Sequence, residues 1–199
     1  MPLIKKNFYT RPDVVNIARE LLGKLLITQF DGKLSSGIIT ETEAYEGITD
    51  RASHAYSGRR SERTEIMYRI GGTAYVYLCY GVHSLFNIVS NVEDIPHAIL
   101  VRGITPVDGS QYMLERTGKK EILKDFSNGP GKVTKALGIH YSHTGLNLTK
   151  KPYRKFESGI WLEDIGCSVK EEEINVTPRI GVEYAGEDAL RPYRFVCVK

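Results

Sequence analysis

Three strand-like runs, at residues 75–80, 85–90 and 98–102, follow one another with no helical stretch between them, and only a short connection around Gly81 separates the first two. That connection reads as an exposed hairpin tip. A second pair of runs, 24–30 and 37–43, flanks Asp31-Gly32, two residues suited to a turn that needs positive φ. Helical periodicity is confined to three places. At 12–22, Val14, Val15, Ala18, Leu21 and Leu22 make an apolar stripe, with Pro12 at its start and Gly23 at its stop. Shorter helices are predicted over 107–116 and 132–137, and further strands over 160–162, 174–176 and 194–198. This mixed order favours an α+β fold over alternating βαβ units. Residues 47–65 are polar, with Ser-Gly-Arg-Arg at their centre, and read as a loop suited to phosphate contact. No internal repeat or linker divides the chain, so residues 1–199 are expected to form a single domain.

The 199 residues, 41% hydrophobic and 26% charged, suffice for one continuous core and exclude disorder or a coiled coil. A net charge of +3 permits a polyanionic partner without the dense basic stripe that would announce one. Cys79, Cys167 and Cys197 are far apart and lack CxxC spacing, so a reduced, intracellular chain is expected. The first residues have no apolar signal-peptide core, and no run approaches the roughly 20 apolar residues of a membrane span. A soluble cytoplasmic protein without membrane contact is expected.

Among residues that carry chemistry, Glu41-Thr42-Glu43 stands out. Two carboxylates alternate at the end of an apolar strand, and period two places Ile39, Glu41 and Glu43 on one face. A carboxylate held there against a pocket would activate water; a solvated strand end has the same pattern. Tyr45, Tyr75 and Tyr77 could stack on a planar ligand or simply fill a sheet face. Tyr80, just before Gly81-Val82-His83, would expose a large ring unless something such as a base stack receives it. His140 and His143 lack an acidic partner, so no metal site is indicated, and no GxSxG elbow is present. Gly71-Gly72-Thr73 and Asn128-Gly129-Pro130-Gly131-Lys132 match neither a Walker nor a dinucleotide pattern. The second of these suits a phosphodiester contact or a plain turn and helix cap equally.

Taken in order, Ile39-Thr40-Glu41-Thr42-Glu43-Ala44-Tyr45, His54, Tyr75-Val76-Tyr77-Leu78-Cys79-Tyr80-Gly81 and Asn87 resemble the alkyladenine (3-methyladenine) DNA glycosylase family. The resemblance continues through Leu100-Val101-Arg102, residues 128–132 and Arg179-Ile180-Gly181-Val182, and so spans most of the chain. It implies a single α+β domain with a curved, mainly antiparallel sheet, flanking helices and a protruding hairpin inserted into DNA. It also implies a monofunctional base-excision-repair enzyme that acts as a monomer on damaged double-stranded DNA and needs no cofactor. The implied substrates are alkylated or deaminated purines: 3-methyladenine, 7-methylguanine, hypoxanthine and ethenoadenine. On the resemblance, Glu43 is the general base and Arg102 helps to hold the water. Tyr45, His54, Tyr77 and Asn87 line the base pocket, and Tyr80 fills the gap left by the flipped base. Arg59, Arg60 and Lys132 are candidate phosphate contacts.

Two other classes compete. A non-catalytic damaged-base-binding protein would keep the aromatic pocket and dispense with the acid. A small-molecule glycoside hydrolase would need a second carboxylate, for which Glu41 is the nearest candidate.

Overall fold

In a computed structural model, residues 1–198 are described, and eight strands form one antiparallel sheet. Its main path runs β3 (Ala74–Cys79), β4 (His83–Ser90), β5 (His97–Pro106), β2 (Lys33–Tyr45), β1 (Leu25–Phe30) and β6 (Gly159–Glu163). β8 (Arg194–Cys197) joins β2, and β7 (Ile174–Thr177) joins β8. With four short α-helices around this curled sheet, the fold class is α+β, as the order of runs predicts.

Turn chemistry explains the two hairpins. Asp31 and Gly32 adopt φ of 52° and 72°, and the β1–β2 ladder closes on them from Phe30 opposite Lys33. Tyr80 and Gly81 have φ of 51° and 70° at the tip between β3 and β4. A left-handed tyrosine is uncommon, and here it leaves the ring 95% exposed.

β2 is longer than the 37–43 run and starts directly after the turn, because Leu34, Ser35 and Ser36 are carried into the sheet by pairing with β1. Its register against β5 shifts twice, between Ile39 and Thr42. Strict alternation is therefore broken. Ile39 joins Ala44 in the main core, while Glu41 and Glu43 turn to the other side, towards Arg102. The expectation that Ile39 shares a face with Glu41 and Glu43 is corrected: the bulge inserts the extra residue that flips the pattern.

The core lies between the sheet and the helices. Helix α1 (Lys6–Tyr9) precedes α2 (Val14–Glu20), whose N-terminus is capped by Asp13 accepting from Asn16 N–H at 2.9 Å. Ile17 and Ala18 of α2 are fully buried, and Ala18 C=O accepts the Thr42 hydroxyl at 2.7 Å. Helix α3 (Ser110–Thr117) begins after Gly109, which has positive φ, rather than at residue 107, where Val107 is exposed. Helix α4 (Pro130–Leu137) has proline in its first turn and packs on β4 and β5. Residues 47–65 are not a plain loop: they contain three 3₁₀ turns or their starts, and Asp50, Ala52 and Ala55 are buried. No helix among the described residues is long and apolar enough to cross a membrane.

Phe195 of β8 is fully buried, pairs in register with Thr42 and lies under the Arg19 guanidinium, 5.1 Å from its ring centre. Phe195→Ala is expected to cost about 3–5 kcal/mol of stability through lost burial and the cavity left behind. Urea unfolding monitored by circular dichroism measures it.

Candidate active site

The end of β2 buries a carboxylate. Glu43 is 0% exposed, paired across the sheet with Leu100 on one side and Arg194 on the other. Its Oε2 accepts the Tyr45 hydroxyl at 2.8 Å, its Oε1 accepts Ile180 N–H at 2.9 Å, and Arg102 Nε stands 3.4 Å from Oε1. Burial pushes its pKa up. Arg102, Ile180 N–H and the Tyr45 hydroxyl oppose that rise, and the neighbouring Glu41 adds to it, leaving a net upward shift. The Tyr45 phenol is held well above its usual range by burial and by Glu43, so it stays protonated and donates.

Residue Arg179 builds the wall behind Tyr45. Buried at 5% exposure, it forms a two-pronged ion pair with Asp50, with Nη2 to Oδ1 at 2.9 Å, and donates to the carbonyls of Ala44 and Asp188. Its guanidinium carbon lies 4.8 Å from the Tyr45 ring centre. These bonds fix the segment whose next residue, Ile180, gives its N–H to Glu43. Nothing in the periodicity of the chain marks Arg179 for this role. The visible signal was its place in the Arg-Ile-Gly-Val motif; its partner Asp50 is 129 residues away.

Beside Glu43 opens a cavity of about 240 Å³, lined among others by Tyr45, His54, Tyr77, Tyr80, Asn87 and Arg102. The fold thus brings six of the predicted site residues to one concave surface; Glu43 does not itself line it but touches three residues that do, Tyr45, Arg102 and Ile180. The volume lies below the roughly 300–1,000 Å³ of pockets for drug-sized ligands. It suits one heterocycle. The rings of Tyr75 and Tyr77 are 5.4 Å apart and tilted, and His54 meets Tyr77 edge-on at 4.7 Å. Asn87 is buried and donates through Nδ2 to the carbonyls of Tyr75 and Leu85, both at 3.3 Å.

His54 is held by two neighbours. Arg63 Nη2 lies 2.6 Å from Nε2, and Nδ1 lies 2.8 Å from the Tyr75 hydroxyl. The same Arg63 Nη2 lies 3.1 Å from Nδ1, so the guanidinium faces both ring nitrogens. Burial, then Arg63 and Arg59, lower its pKa to about 4. Arg63 also covers the Tyr77 ring at 5.0 Å, and no pattern in the sequence marks it for this place.

The phosphate candidates lie outside the cavity. Arg59 is exposed. Arg60 is paired with Glu65 and Asp94, and Lys132 with Asp125. Among the described residues no three His, Cys, Asp or Glu side chains are grouped to hold a metal; His140 and His143 cap a short turn, and His143 stacks on Phe30 at 3.9 Å.

Comparison with known proteins gives the family. Residues 7–199 match the model of the family described as methylpurine-DNA glycosylase (MPG). A protein of Chlamydia felis named "Putative 3-methyladenine DNA glycosylase" is 41% identical over 195 residues, covering 98% of this chain and 95% of its own. Proteins of the same name from Clostridium perfringens and Bacillus licheniformis are 40% and 42% identical. They cover 96% and 94% of this chain, and 93% and 89% of their own.

Two outcomes are expected from the site's electrostatics. Asp50→Asn strands a buried guanidinium and should cost about 3–5 kcal/mol in urea unfolding. By NMR, the His54 ring should titrate near pH 4, and Arg63→Gln should move that titration upward. Because the unfolded ring takes its proton near 6.5, His54 contributes stability that is complete above that pH and is lost as the pH falls towards 4. His54→Gln should flatten that part of the stability profile.

Proposed function

The chain belongs to the methylpurine-DNA glycosylase family of DNA repair enzymes that hydrolyse N-glycosyl bonds, and we propose that it excises a flipped purine with a water activated by Glu43. The observation that carries this reading is the fully buried Glu43 carboxylate held by Tyr45, Arg102 and Ile180, three residues that line a small aromatic cavity with an exposed tyrosine at its rim.

A base inside a duplex is out of reach and must be extruded, at a cost of a few kcal/mol that is lower for damaged pairs. Tyr80 then fills the vacated stack; its 95% exposure at the hairpin tip and its place in the cavity lining support this role. Tyr45 and Tyr77 then stack on the extruded purine. Such contacts contribute roughly 1–3 kcal/mol per base and tolerate varied ring substituents. His54 and Asn87 meet its edges. This tolerance accommodates 3-methyladenine, 7-methylguanine, hypoxanthine and ethenoadenine in one site.

The chemical step balances with one carboxylate. Water oxygen bonds to C1′ as the bond from C1′ to the purine nitrogen breaks; the purine leaves with the bonding electrons, and Glu43 takes the water proton. A net upward pKa shift makes Glu43 a stronger base than an ordinary surface carboxylate. Arg102, lining the cavity 3.4 Å from Glu43, orients the water through its remaining N–H groups. An alkylated purine is already cationic and leaves as a neutral base, so the paired carboxylates usual in glycoside hydrolysis are unnecessary.

The enzyme acts as a monomer on damaged duplex DNA. Arg59 offers an exposed cation to phosphate, while Arg60 and Lys132 would exchange their present carboxylate partners for it.

Glu43→Gln is expected to lower single-turnover base release from duplex DNA by at least about a hundredfold while damaged-duplex binding persists. The abasic strand should stay unbroken and untrapped by borohydride, since no lysine attacks C1′. Undiminished release by Glu43→Gln would remove Glu43 from the mechanism. Binding without release by the wild type on every lesion would favour a damage reader instead.

A further inference from the structure

A second buried carboxylate lies beside the site, and the reaction just described does not use it. Glu41 is 5% exposed, and its Oε1 accepts both Arg102 Nε at 3.0 Å and Arg194 Nε at 2.7 Å. Arg102 Nε therefore sits nearer to Glu41 than to Glu43, where the distance is 3.4 Å.

The backbone is shaped to allow this sharing. Ile39 pairs with Ile104, Glu41 with Gly103 and Thr42 with Val101, so Thr40 and Arg102 both fall out of the β2–β5 register. Opposite Glu41, a Cβ on Gly103 would lie 3.0 Å from Glu41 Cβ and 2.9 Å from Thr40 Oγ1. The space filled by the Glu41 side chain exists because residue 103 has none. On its other side Glu41 lines a separate cleft of about 640 Å³, together with Thr40, Asp125 and Ser127. The carboxylate thus stands between that cleft and Arg102, which lines the base cavity.

We propose that Glu41 is a positioning residue: by competing for Arg102 and anchoring Arg194, it keeps Arg102 from closing onto Glu43 and leaves the Glu43 carboxylate free to take a proton from water. This rests on the reading of Glu43 as the general base. The groups facing Glu43 are Glu41 and Tyr45 from β2, Arg102 from β5, Arg194 from β8, and Arg179 with Ile180 N–H from the segment before β8. Within this set, Arg102 lowers the proton affinity of Glu43 and Glu41 raises it. Neutralising Glu41 removes the raising charge and releases Arg102 towards Glu43; both changes weaken the base. Removing Arg194 acts in the opposite sense, because it subtracts a cation and leaves Glu41 to draw Arg102 more completely.

The test is the pH dependence of single-turnover release of 7-methylguanine, a cationic purine that needs no leaving-group proton, so that the ascending limb reports the base. In Glu41→Gln the limb should move down by about one pH unit. Its plateau should fall about tenfold. In Arg194→Gln the limb should move up, and neither variant should change the Kd for damaged duplex. A merely structural role predicts lower stability with unmoved limbs. Unmoved limbs, or shifts in the same direction, would overturn the proposal. Should Glu41→Gln fail to fold, Arg194→Gln decides alone, an upward shift supporting the proposal and any other result overturning it. Glu43→Gln is the control for the underlying mechanism. If it still releases base, the general-base reading and this proposal fall together; if it is inactive while the limbs of the other two stay in place, only the role of Glu41 falls.

Discussion

A carboxylate with no exposure to water is the constraint around which this molecule is arranged. Stripped of solvent, Glu43 would take up a proton and lose its value as a base unless donors replaced its hydration. The structure supplies three from three different parts of the chain: a phenol two residues along β2, a guanidinium from β5 and a backbone N–H from residue 180. Each donor has its own support. Arg179, locked to Asp50 and to two carbonyls, holds the segment that presents Ile180 and backs the Tyr45 ring. The register shifts between β2 and β5 bring Arg102 and Glu41 together, and β8 seals the remaining edge of β2. The fold surrounds one buried carboxylate with donors drawn from distant parts of the chain.

Much of the scaffold is legible in the chain, because local rules and tertiary demands agree there. Asp31-Gly32 and Tyr80-Gly81 lie at hairpin tips, and the apolar stripe ending at Gly23 is a helix whose inward residues are buried. The bulge is not legible. Ile39 to Glu43 alternates perfectly as a sequence, and the break arises only because β2 must pair with β5 while leaving β1 for β8. Residues 47–65 mislead for a related reason: a polar average conceals Asp50, Ala52 and Ala55, which are buried because Asp50 meets Arg179 from far along the chain.

The candidate site was readable to a similar depth. Tyr45, His54, Tyr77, Tyr80, Asn87 and Arg102 converge on one cavity, and their side chains announce themselves by type. What holds them does not. Ile180 contributes through its backbone, which carries no residue-specific signal, and Arg179 and Arg63 act through partners that only the folded chain brings near. Exposed Tyr80, with its left-handed backbone, marks the opposite extreme, a residue whose local cost is explained by no contact within the protein.

The charges of the cluster bear on which lesions the proposed chemistry favours. Three carboxylates, Glu41, Glu43 and Asp50, are set among three guanidinium groups, Arg102, Arg194 and Arg179. With Glu43 ionised, as the proposed general base requires, the three charges of each sign balance. When Glu43 accepts the proton of water, the cluster gains one positive charge. If the departing purine is an alkylated cation, it loses one at the same time, so positive charge moves from base to cluster and no charges are separated. A neutral purine leaving unassisted would depart as an anion beside a cationic cluster, and separating unit charges is costly. Hypoxanthine and ethenoadenine therefore require a proton on the leaving base that 3-methyladenine and 7-methylguanine do not. Burial, Arg63 and Arg59 disfavour the charged His54 ring, so it is no ready source of that proton. The proposed chemistry thus favours cationic lesions through the conservation of charge at Glu43 rather than through any negative potential in the pocket.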